Sequence, residues 1–245
     1  QIKTKFDFIN ASGVFFHLEE LHSFTIGVKF LLKEDGVFIV QFLYMKSIVE
    51  NVAFDQIYHE HLLYYNLITL QNLLLMHNLE IFDCELTPVH GGQMVAYVCH
   101  KNNKKISSKF KKYVAKEKRS KCNSLIYYKK FKNKVQKLKN ENISFLQKAK
   151  RNKLTIFGIG APAKGNTLLN YFNINKKIIC KLLEKNKMRK NTFAPGSHIP
   201  IVMEDEEKQI PDIYYVLAWN FKKEILKSFK KKGYNKSKFY FPVNI

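Results

Sequence analysis

Glycine and proline are scarce, ten and six in 245 residues, which excludes collagen-like repeats and linker-like composition. Cysteine is rarer still. Cys84, Cys99, Cys122 and Cys180 are far apart and form no C-x-x-C pair, so neither a zinc site nor a redox dithiol is suggested, and no metal is expected. Four buried thiols in a reducing compartment is the expectation, rather than the disulfide framework of short secreted chains. Long apolar runs are missing as well. Residues 37–40 and 73–76 are examples of the runs present, far below the roughly 20 residues of a membrane helix, and no signal-peptide pattern is found. Arginine is limited to Arg119, Arg151 and Arg189, and base readout in DNA favours the planar fork of arginine.

The residues that are abundant tell of a packed core. Hydrophobic residues make up 46% of the chain, with 20 Phe and 13 Tyr, whereas disordered chains are poor in aromatic and branched residues. A net charge of +22 invites a polyanion partner, because lysine neutralises phosphate. Its distribution weakens that reading. Residues 101–153 alone carry +18, against acids at Glu117 and Glu141 only. Lysine in place of arginine, with abundant asparagine, also matches the product of an AT-rich genome, so nucleic acid is not the expected partner. A basic module that grips nucleic acid or an anionic surface stands as the alternative, and its mark would be steep salt dependence.

Along the chain, residues 6–10 read as a strand, 18–32 as a helix and 33–36 (KEDG) as a charged turn. Residues 37–43 read as a buried parallel strand, 69–78 as a helix, and 80–86 with 93–100 as an antiparallel pair joined by a loop. From residue 101 the pattern becomes a lysine-coated helix, with Tyr128, Phe131, Val135 and Leu138 forming one apolar stripe. A second α/β unit starts at residue 154, with further parallel strands at 177–183 and 213–218. The expected division is therefore 1–100, a connector at 101–153, and 154–245.

Residues 54–61, FDQIYHEH, are the densest chemical signal. Tyr58, His59, Glu60 and His61 gather a phenol, two imidazoles and a carboxylate, groups that move protons near neutral pH. On a helix, Tyr58 and His61 would share a face. His17 follows the first strand, at the kind of edge where open α/β sheets bind ligands. Zinc held by His17, His59 and His61 and a purely structural cluster are the rival readings, and the H-E-x-x-H spacing is absent. A second signal is the run GIGAPAKGN at 158–166. Glycines at a strand-to-helix turn and free helix N–H groups favour a phosphate, which Lys164 could neutralise. Ala163 stands where the dinucleotide pattern has its third glycine, so an NAD-dependent oxidoreductase is disfavoured, and a tight structural turn remains open.

Five strings in order, FDQIYHEH (54–61), PVHGGQ (88–93), GIGAPAKGNTLL (158–169), APGSHIPI (194–201) and AWNFKKE (218–224), resemble the sugar C-methyltransferase family. Its members use S-adenosylmethionine to methylate a carbon of nucleotide-linked 4-keto-deoxysugars. The resemblance implies the C-terminal part of a Rossmann-like class I methyltransferase domain, a helical connector, and a second Rossmann-like α/β domain that binds the nucleotide-sugar. It implies a cytoplasmic enzyme in which His61 is the general base, while Tyr58, Glu60 and His17 handle protons and orient the keto sugar. Asn10, Ala11, Ser12 and Gly13 would be what remains of the donor site. Substrate contacts would come from His90, Gly91, Gly92 and Gln93, from Gly158, Gly160, Lys164, Gly165 and Asn166, and from Trp219 and Asn220.

The departures are equally specific. The family's cysteine-rich zinc domain and its early donor-binding strands have no counterpart here, and the sequence opens at Gln1 in a strand-like run. The expectation is a fragment, inert alone, with zinc confined to that other domain. Gln93-Met94-Val95 replaces the usual Ser-Leu-Arg, and Ile159 replaces an aromatic residue, changes that imply altered substrate contacts or relaxed selection.

Overall fold

The computed structural model describes residues 4–233 and 237–243, with the side chain of His90 also outside the description. Two compact units result. The first comprises residues 1–50 and 59–130, and the second residues 51–58 and 131–245.

The first unit holds β1 (Phe6–Ser12), α1 (Leu21–Leu31), β2 (Leu32–Leu43), α2 (Met45–Glu50), α3 (Leu67–Leu75), β3 (Leu79–Thr87), β4 (Gln93–His100) and α4 (Ser108–Ser120). Its sheet has the order β1-β2-β4-β3. β1 and β2 are parallel, while β4 runs antiparallel to both β2 and β3. On β2, Phe38, Val40 and Phe42 are fully buried and alternate with half-buried neighbours, as a pleated strand requires.

Residues 33–36, expected as a turn, lie inside β2. The register explains how: Phe6 pairs with Leu32 and Phe8 with Val37, so β2 bulges between those pairs and Lys33, Glu34 and Asp35 swing out to solvent while Gly36 stays buried. Lys33 there reaches the Asp7 carboxylate at 2.9 Å. The helix expected over 18–32 is shorter, because Leu18, after a 3₁₀ turn at Phe15–His17, is extended and α1 begins only at Leu21. The strand pair at 80–86 and 93–100 is present as β3 and β4. Cys84, Cys99 and Cys122 are buried, but Cys180 is exposed, contrary to the expectation of four buried thiols.

Helix α5 (Leu125–Arg151) carries the lysine-rich stretch from one unit into the other. Phe131 and Val135 of the expected stripe are buried, with Leu146 and Ala149 continuing it. The second unit continues with β5 (Ile156–Ile159), α6 (Ala163–Tyr171), β6 (Lys181–Glu184), β7 (Ile201–Met203), β8 (Ile213–Val216), α7 (Lys222–Lys231) and β9 (Lys238–Tyr240). All strand pairings are parallel, in the order β7-β6-β5-β8-β9. Numbered within the unit this is 3-2-1-4-5, the doubly wound arrangement whose ligands bind at the carboxyl ends of strands where the order reverses. The fold is therefore mixed α/β and Rossmann-like.

All four residues of β5 and of β8 are buried, because helices cover both faces of such a sheet. Alternation on β8 sends Tyr214 to Phe229 of α7, ring centroids 4.9 Å apart, and Tyr215 to α5, where its hydroxyl donates to Asn142 Oδ1 at 2.7 Å. Residues 177–180, expected as strand, instead form a turn closed by the Ile178 N–H on the Asn175 carbonyl, and β6 starts at Lys181. No described helix is long and apolar enough to cross a membrane.

Candidate functional site

Residues 54–61 are not a helix. A 3₁₀ turn spans Phe54–Gln56 and the chain then turns irregularly through Glu60, so the helical spacing that would put Tyr58 and His61 on one face does not exist. Phe54, Asp55 and Gln56 are buried in the second unit, to which Tyr58 also belongs, whereas His59, Glu60 and His61 belong to the first.

Within the first unit, backbone hydrogen bonds bring together two histidines 44 residues apart in sequence. The Phe16 carbonyl accepts from the N–H groups of Leu62 (3.1 Å) and Leu63 (3.2 Å). His17 Nδ1 donates to the backbone carbonyl of Glu60. In a neutral ring that bond puts the proton on Nδ1 and leaves the lone pair on Nε2. The His17 and His61 ring centroids are consequently 5.2 Å apart. Phe16 meets His61 edge-on at 5.0 Å, and Tyr64 lies at 6.1 Å. Two imidazoles on an aromatic floor, beside the turn that follows β1, can accept, donate or relay a proton. Among the described residues no group of three or more metal-ligating side chains is found.

Asn10, Ala11 and Ser12 close β1, with Asn10 and Ser12 exposed and linked through the Ser12 hydroxyl, which donates to Asn10 Oδ1 at 2.7 Å. Gly13 follows with φ +69°. Gly91 ends a 3₁₀ turn between β3 and β4. Gly92 has φ +120°, and a Cβ there would lie 2.9 Å from Ser47, so this corner admits glycine alone. Gln93 is buried and its Oε1 accepts from Gln41 Nε2. Met94 is fully buried in the core.

In the second unit the glycine run divides by role. Gly158 lies inside β5, where an added side chain would collide with Leu182. Gly160, at φ +80° and 2.9 Å from the Ala218 methyl once a Cβ is built, makes the turn out of the sheet. Gly165 packs on Leu217 and Pro162 in the first turn of α6. Ile159 is buried in the core formed with Leu183, Val216 and Ile225.

Lys164, Trp219 and Asn220 meet. The Lys164 ammonium donates to Asn220 Oδ1 at 2.6 Å and sits 3.6 Å from the Trp219 ring centre. Burial pushes its pKa down to about 8, opposed by the charge of Asp55. The sequence did not single out Asp55 as a site residue. Its side chain is fully buried, and Oδ2 accepts from Trp219 Nε1 at 2.6 Å. Burial raises its pKa to about 6, against the pull of Lys164 and the indole N–H. Asn166 turns a buried Oδ1 inward.

A cavity of about 380 Å³ opens at the carboxyl ends of β5, β6 and β8, lined by Gly160, Pro162, Glu184, Arg189 and Phe221 among others. Glu184 and Arg189 were not anticipated, although Arg189 is one of just three arginines. The Glu184 carboxylate accepts from the Ala161 N–H (2.9 Å), from Arg189 (3.1 Å) and from the N–H groups of Lys185 and Asn186. Those bonds outweigh its burial and hold its pKa below the usual range. A dinucleotide fold needs a comparable acid for the ribose hydroxyls; here its four acceptor positions are already occupied.

Residues 88–244 match the C-methyltransferase C-terminal domain. The chain belongs to that family. It is also 28% identical over 231 residues to C-methyltransferase NovU of Streptomyces niveus, an alignment covering 94% of this chain and 55% of that protein. The chain thus spans little more than half the length of this relative. Within the C-methyltransferase C-terminal domain match fall β4, α4, α5, the whole 3-2-1-4-5 sheet and the Lys164–Trp219–Asn220 cluster, whereas His17, Tyr58, Glu60 and His61 lie before it.

Proposed function

We propose that these residues form the later part of an S-adenosylmethionine-dependent C-methyltransferase, acting in the cytoplasm on a carbon beside the keto group of a nucleotide-linked deoxysugar. The pairing of His17 with His61 carries this reading, together with the family match. A proton next to a ketone is acidic enough for an imidazole to take once the enolate oxygen is stabilised. His61 takes that proton. His17, in its Nε2 lone-pair form, accepts a hydrogen bond from the substrate or relays the proton, and Tyr58 and Glu60 orient the keto sugar.

S-adenosylmethionine supplies an electrophilic methyl group for the carbon nucleophile. The exposed side chains of Asn10 and Ser12 and the left-handed Gly13, at the carboxyl end of a parallel strand, fit one wall of such a donor site. Lys164 with Asn220 and Trp219 forms a cluster suited to an anionic nucleotide group, and Gly160, Gly165 and Asn166 shape the loop around it. Gly91, Gly92 and Gln93, with His90, contact the sugar.

The 245 residues alone are inert in this account, since one wall does not hold a donor. Incubating them, and a longer protein that contains them, with donor and a thymidine-linked 4-keto sugar tests both statements. Turnover by the longer protein and none by the 245 residues is expected. Methyl transfer by the 245 residues alone would overturn the claim of inertness, and the absence of turnover by both would overturn the substrate assignment.

A further inference from the structure

The Asp55 side chain is fully buried, yet one of its oxygens, Oδ1, has no hydrogen-bond partner among the described residues. Such a group is costly to bury, so its other contacts have to account for its position. Oδ2 grips the Trp219 indole N–H at 2.6 Å. The Trp219 ring is in turn the surface on which the Lys164 ammonium rests, and the neighbouring Asn220 Oδ1 accepts a hydrogen bond from that ammonium. Among the described residues no carboxylate lies within ion-pair distance of Lys164, so the ammonium is held by a neutral amide and a π face. Its full charge stays available to an anionic ligand.

We propose that Asp55 is a positioning residue for Lys164. By fixing the indole it fixes the aromatic face and the amide that hold the ammonium, and its own negative charge keeps that ammonium protonated. The 3₁₀ turn at Phe54–Gln56 thereby sets both the affinity for a ligand phosphate and the pH at which that affinity is lost. This rests on the reading of Lys164 as a nucleotide contact. Lys164 is faced by Asp55 from the 3₁₀ turn and by Trp219 and Asn220 from the turn after β8, and Asp55 is faced in addition by Tyr215 of β8. With Asp55 ionised above about pH 6 and Lys164 protonated below about pH 8, both charges are present in the interval between.

Titration calorimetry of the 245-residue chain with thymidine diphosphate, from pH 6 to 9.5, tests this. Wild-type affinity should fall as pH rises through about 8. Asp55→Asn keeps an acceptor for the indole but removes the charge, so the fall should move down by about one pH unit. Trp219→Phe keeps a ring and removes the N–H that Asp55 grips, and should weaken binding at pH 7 by about tenfold. Lys164→Met should abolish the pH dependence along with most of the affinity. Curves for Asp55→Asn and Trp219→Phe that superimpose on wild type, while Lys164→Met binds poorly, would overturn the role of Asp55 and leave the nucleotide reading standing. Wild-type binding by Lys164→Met, or no binding by any form, would overturn the nucleotide reading itself. The Lys164 Nζ resonance, titrated by NMR in the unliganded protein, then decides the remaining part: an unchanged midpoint in Asp55→Asn overturns the electrostatic hold on Lys164, and a lowered one supports it.

Discussion

Asp55 carries a stability cost that depends on pH. Its pKa is raised to about 6 in the folded chain, from an ordinary value of 3.8, because burial penalises the charged form. The folded state therefore binds the proton more tightly than the unfolded one, so this contribution is complete below about pH 4 and is lost as pH rises through 6. Asp55→Asn cannot titrate. Its stability relative to wild type, measured by urea unfolding, should increase between pH 4 and pH 7, and a constant difference would show that Asp55 is not buried as an acid. Little of this was legible in the sequence. Asp55 stands inside the FDQIYHEH string, but nothing about an acid after a phenylalanine says that its partner is Trp219, 164 residues away. The meeting of His17 and His61 was equally hidden, because it depends on backbone bonds between the Phe16 carbonyl and Leu62 and Leu63. The residue types singled out both histidines and the resemblance gave them roles, but neither said that the two rings meet.

At the scale of elements, α3 illustrates how a buried acid from another helix completes a helix start. Glu117 of α4 accepts from the N–H groups of Leu67 (2.7 Å) and Ile68 (3.0 Å), and from the Tyr44 hydroxyl (2.8 Å). A carboxylate at the first turn satisfies donors that the helix itself cannot and meets the positive end of its dipole. Glu117→Ala strands three donors and should destabilise the first unit by about 3 kcal/mol, as read by denaturant unfolding. Leu146→Ala, at a fully buried position of α5, should cost a similar amount, about 3 kcal/mol, and a loss below half that would mean the helix stripe packs loosely. Strong periodicity made β3, β4 and α5 legible. Short elements such as β7 and β9, three residues each, carry too little pattern to be read, and the bulge in β2 was mistaken for a turn because its residues are chemically those of a turn.

For the whole molecule, the charge and the chemistry separate. Of the net +22, the stretch of residues 101–153 carries +18, chiefly as the solvent faces of α4 and α5, while the candidate site residues lie elsewhere in the chain. Filter binding to duplex DNA at 50 mM and 500 mM salt tests the alternative: absent or salt-insensitive binding is expected, whereas binding that falls steeply with added salt, the mark of counterion release, would favour the nucleic-acid reading. The parallel 3-2-1-4-5 sheet was foreseeable in kind from alternating strands and helices, but the cavity at its switch point and the saturated Glu184 emerge only once β5, β6 and β8 are side by side. The central claim is that His61 removes the proton next to the ketone. The most direct measurement is solvent deuterium incorporation at that carbon, together with methyl transfer, in a longer protein that contains these residues and carries His61→Asn. The account predicts that both are lost while binding of the nucleotide sugar is retained, whereas deuterium incorporation at the wild-type rate in His61→Asn would contradict it.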